Sequence, residues 1–66
     1  MALFEVSYQL GNREPSGTFI GETAIWYKVT VDAFSLTNAQ RQVESMMGGP
    51  NRCLIGATFQ KNSWQI

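Results

Sequence analysis

The chain has 66 residues, with five basic and five acidic side chains, no histidine and a single cysteine. That inventory excludes an intramolecular disulfide, a histidine-activated nucleophile and a zinc site of ordinary ligand spacing. Charged residues are 15% of the chain, against a usual ~25%, and the net charge is zero.

A domain this small sits near the lower limit at which apolar burial alone holds a fold. Few, balanced charges suit a chain that buries part of its exterior against a copy of itself or a partner. No apolar run approaches the ~20 residues of a membrane span. The opening "MALFEVSYQL" alternates polar and apolar residues, unlike the basic start and unbroken apolar block of a signal peptide. The expected compartment is the cytoplasm, where a free thiol stays reduced.

In "ALFEVSYQL", Phe4, Val6, Tyr8 and Leu10 fall on one side and Leu3, Glu5, Ser7 and Gln9 on the other. That period of two predicts a half-buried strand. "GNREPSG" follows with dense turn chemistry, including Pro15, which cannot donate to a ladder. In "TFIGETAIWYKVTVDAF", Ile25, Tyr27, Val29, Val31 and Ala33 share a face opposite Trp26, Lys28, Thr30 and Asp32. Gly21 predicts irregular backbone over 18–23 before this second strand settles. Residues 11–23 are thus a long hairpin connection, either a binding loop or a mobile tip.

The period then changes. In "SLTNAQRQVESMMGG", Leu36, Ala39, Val43, Met46 and Met47 recur at three and four, which predicts an amphipathic helix of about three turns with both methionines inward. Ser35 or Thr37 can cap its start, and Thr37 with Gln40 has capping-box spacing. "GGPNRC" carries stop signals: Gly48 for the left-handed position past the end, Gly49 to free the turn, Pro50 to forbid more helix. A phosphate cradle would need those glycines at a helix N-terminus instead. "NRCLIGATFQ" returns to alternation, with Cys53, Ile55, Ala57 and Phe59 predicted inward. The tail 61–66 carries Trp64 and Ile66 and is expected to extend this strand or fold over an open face.

The predicted fold is α+β, a single domain over 1–66. Its sheet is three-stranded and antiparallel in β-β-α-β succession, order 2-1-3, with one helix packed on one face.

Cys53 has apolar neighbours and no base, so it reads as a buried structural thiol. Glu5, Glu14, Glu22, Asp32 and Glu44 are scattered over different elements, unlike a catalytic pair or a calcium loop. The expectation is a protein that is not an enzyme, with no cofactor and no metal. One helix covers one side of a sheet. Leu3, Trp26, Lys28, Leu54 and Trp64 are therefore predicted to form an open patch on the other. Its expected occupant is another protein, most simply a second copy in a homo-oligomer. The alternative is an RNA- or DNA-binding module using Trp26, Lys28 and Arg52, although five balanced basic residues supply no basic groove.

"VDAFSLTNAQRQVESMMG", followed by Arg52, resembles the strand-to-helix signature of the archaeal ribosomal protein LX family. Val31, Ala33, Ser35, Ala39, Val43, Ser45 and Gly48 carry that resemblance. It implies a strand-strand-helix-strand fold and a ribosomal RNA ligand. That family's last strand is rich in lysine and arginine, whereas "NRCLIGATFQ" holds one arginine. "AQRQVESMMGGPNRC" is also similar to short uncharacterised proteins of cyanobacteria and their phages, among which a host-directed interaction factor would fit.

Overall fold

The computed structural model describes residues 2–61. Strands β1 (Ala2–Arg13), β2 (Phe19–Gly21) and β3 (Tyr27–Ala33) precede helix α1 (Leu36–Met46), and β4 (Cys53–Lys61) follows it. β1 is the centre of a wholly antiparallel sheet. β3 pairs along one side of it from Ala2↔Ala33 to Tyr8↔Tyr27, and β4 along the other from Leu3↔Lys61 to Leu10↔Cys53. The predicted 2-1-3 order is therefore the observed one, with β1 between β3 and β4.

The sheet gains a fourth, short strand inside the predicted connection. β1 runs on to Arg13, and Gly11, Asn12 and Arg13 pair with Gly21, Ile20 and Phe19. What remains outside the ladder is a tight turn, closed by Glu14 N–H to the Thr18 carbonyl at 2.7 Å, and the irregular stretch 22–26. Arg13 fastens this tip. Its guanidinium donates to the Gly17 carbonyl at 2.9 Å and to the Pro50 carbonyl at 3.1 Å, and lies 5.4 Å from the Phe19 ring centre.

Helix α1 begins at Ser35, whose extended backbone leaves its hydroxyl free to accept from Asn38 N–H at 3.2 Å. Thr37 is inside the helix and is not the cap. Gln40 does not close a capping box; its amide reaches Thr58 Oγ1 at 3.1 Å on β4. At the other end Gly49 N–H bonds the Glu44 carbonyl at 2.8 Å and Gly48 N–H the Ser45 carbonyl at 3.4 Å. That pairing is the Schellman stop, and it holds Gly48 at φ 102 and Gly49 at φ 95, where a side chain would strain the backbone. The glycine pair ends the helix, as the sequence predicts.

The core lies between α1 and one face of the sheet: Phe4, Val6, Val31, Ala33, Ala39 and Val43, with Tyr8, Val29, Met47 and Ile55 packed around it. Tyr8 and Tyr27 stack beside it at 5.6 Å. The helix buries a narrow seam of small residues at i, i+4 and i+8. Met46 points out and is 56% exposed, which corrects the inward placing of the methionine pair. Only Met47 lies on the seam.

A second correction concerns β4. Its register against β1 shifts between Val6 and Tyr8, from Val6↔Thr58 to Tyr8↔Ile55. One extra β4 residue is accommodated at Gly56–Ala57, and a bulge reverses the side-chain alternation beyond it. Cys53 and Ile55 face the helix. After the bulge Thr58 does, while Phe59 turns to the opposite face and Ala57 is exposed.

Candidate functional site

The helix-free face of the sheet is built from cross-strand rows, since residues directly paired share a side. Leu3 sits between Asp32 and Lys61, Glu5 between Thr30 and Phe59, and Ser7 beside Lys28 with the bulge on its other flank. Gln9 pairs with Leu54, and its amide donates to the Thr23 carbonyl at 3.0 Å. Lys61 Nζ lies 3.7 Å from a Glu5 carboxylate oxygen. The pair is part-exposed and screened, so it contributes well under about 1 kcal/mol.

Trp26 precedes β3, yet its indole lies against Gly56 on β4, on the far side of β1. A side-chain carbon at Gly56 would come within 2.7 Å of Trp26 Cζ3. Gly56 follows the inward Ile55 and so faces the helix-free side. The indole therefore crosses the central strand and uses the missing Cβ as its floor. It remains 47% exposed.

Of the predicted interface residues, Leu3, Lys28 and Leu54 occupy this face and Trp26 lies over it; Trp64 lies outside the described residues. Trp26 and Leu54 stand at the same end of the sheet. Leu3 is six residues along β1 from Gln9, about 20 Å away, so the set is two patches. Phe59 was missed by alternation and belongs here, 51% exposed opposite Glu5.

Of the residues of the nucleic-acid alternative, Trp26 lies over the helix-free face, whereas the side-chain carbons of Arg52 stand beside Gly48 at the end of α1. Lys28 is on β3, and Arg52 ends the turn after α1, its carbonyl accepting from Gly11 N–H at 3.1 Å. Two of the other basic side chains are engaged, Arg13 in its clamp and Lys61 beside Glu5.

The Cys53 thiol is 1% exposed. Burial, reinforced by the negative charge of Glu44, holds its pKa above the ordinary 9.0, so it stays a protonated packing group. Among the described residues no group of His, Cys, Asp or Glu is placed to hold a metal ion, and no helix is long and apolar enough to cross a membrane. On the helix side, an open cleft of about 380 Å³ is lined by Ala33, Phe34, Asn38, Arg41, Gln42 and Ser45. Phe34 stands beside it 79% exposed. No protein-family model, curated protein or solved structure matches the chain.

Proposed function

We propose that this chain is a small non-enzymatic interaction module that docks another protein, most simply a second copy, on its helix-free sheet face. The observation that carries the reading is the state of Trp26 and Phe59, 47% and 51% exposed on a face that no described element covers. Exposed aromatics ringed by polar side chains have the composition of a protein interface. A nucleic-acid platform would need free basic side chains converging around the aromatics, and here the two lysines on this face, Lys28 near Trp26 and Lys61 near Phe59, are offset by Asp32 and Glu5 on the same face, with Lys61 Nζ 3.7 Å from Glu5.

Light scattering at two concentrations, with heparin retention measured alongside, tests this. The wild type is expected to gain mass with concentration and to pass heparin unretained. Phe59→Ser combined with Leu54→Ser is expected to lower that mass with the fold intact. A chain that is monomeric at both concentrations and leaves heparin late, with steep salt dependence, would replace this reading with the nucleic-acid one.

A further inference from the structure

We propose that β3 is a self-pairing edge: two copies join their β3 strands antiparallel about a two-fold axis through Thr30. The inference is independent of what occupies the helix-free face.

Among the described residues β3 pairs with β1 alone, and its other edge is open. Which backbone groups face that edge follows from the ladder. Within an antiparallel strand a residue's N–H and C=O point to one side, and successive residues alternate. The Leu10 carbonyl accepts from Glu22 on the β2–β3 side, while Gly11 and Arg13 donate to Arg52 and Asn51 on the β4 side. Even-numbered residues of β1 therefore bond toward β3. Their partners Tyr27, Val29, Val31 and Ala33 turn their groups back to β1. Lys28, Thr30 and Asp32 present theirs to the free edge.

Three features select a second copy as the occupant. Thr30 is the midpoint of the seven-residue strand, so an axis there overlaps its whole length and joins the outward groups in about six hydrogen bonds. The same axis sets Lys28 of each copy opposite Asp32 of the other, whereas an axis through Lys28 or Asp32 would oppose like charges. It also brings Tyr27, 41% exposed, beside Ala33 of the second copy at the mouth of the helix-side cleft. β3 has neither proline nor bulge, and the charges that would otherwise guard its edge, Lys28 and Asp32, become complementary in this register, whereas β4 carries its bulge at Gly56–Ala57. Zero net charge leaves little long-range repulsion between copies. The product is one continuous sheet with both helices on the same side.

Sedimentation equilibrium and hydrogen exchange test the pairing. Lys28 and Asp32 are both exposed, so K28D and D32K are expected to fold. Each should weaken self-association by about tenfold, because each opposes like charges twice. The double variant K28D/D32K should restore it. An equimolar mixture of the single variants should form mixed dimers, since each introduced aspartate then meets a lysine. In the wild type, the Thr30 amide should exchange more slowly as concentration rises. A wild type that stays monomeric, single variants that do not recover on mixing, or a concentration-independent Thr30 amide in an associating sample each overturn the proposal. Phe59→Ser lies on the opposite edge and is expected to leave Thr30 protection unchanged, so this pairing and the helix-free-face reading fail separately.

Discussion

Gly11 is buried where β2 meets β1, and an alanine there isolates how much that crossing contributes. Its φ is ordinary, so the constraint is space. An added Cβ would lie 2.7 Å from Gly21 Cα and closer still to the Ile20 carbonyl oxygen. Both are backbone atoms that no rotamer change can move aside, so β2 must move. Its hold on β1 is three paired positions plus the Glu22 to Leu10 hydrogen bond. At a net ~0.5–1.5 kcal/mol per bond, with some chain entropy regained on release, detachment costs about 2–3 kcal/mol. The domain's total stability at this length is roughly 3–10 kcal/mol, and the core residues lie elsewhere. The variant should therefore stay folded with β2 released. At a urea slope of about 1 kcal/mol/M its midpoint falls by about 2–3 M. Hydrogen exchange should show the Glu22 amide unprotected while those of Val6 and Val31 stay slow. A Glu22 amide as protected as in the wild type, with an unchanged urea midpoint, would refute the close approach.

Val43→Ala removes two methyl groups from a fully buried site and should cost about 2–3 kcal/mol, lowering Tm by roughly 10–20 °C in a thermal melt. Ser35→Ala deletes the bond that caps α1 and should cost about 1 kcal/mol, read by denaturant titration. The Cys53 pKa is raised in the folded state, so the thiolate forms first in the unfolded chain. The stabilisation is whole below pH 9.0 and is lost as pH rises toward the folded value. Urea midpoints should fall more steeply above that pH in the wild type than in Cys53→Ala, and equal slopes would contradict the burial. A thiol reagent at pH 8 should react with the native protein far more slowly than with the urea-unfolded chain.

The alternation of Phe4, Val6 and Tyr8 was legible because β1 faces a core on one side only, so its period of two reports burial directly. The helix stop was legible because a glycine pair before a proline has few other uses. The strand order followed from pairing preferences and a single crossover. Three things were not legible, each for a physical reason. β2 is three residues long, too short to display a period. Met46 and Leu36 obey helical spacing, but a one-helix domain buries only the seam through Ala39, Val43 and Met47, narrower than its apolar content. The bulge leaves "CLIGATF" with an unbroken alternating look, and Gly56 is its only sign. That one residue moved Phe59 from the predicted core to the candidate interface. The edge register, in turn, needs to know which amides face outward, and side-chain patterns carry no such information.

Arg13 ties together two loops that the chain order keeps far apart. One guanidinium grips the hairpin tip through Gly17 and the helix-to-strand corner through Pro50, and the same residue's amide meets Asn51. The distal end of the molecule thus hangs on a single peg: removing the Arg13 guanidinium slackens the hairpin tip and the corner after the helix together.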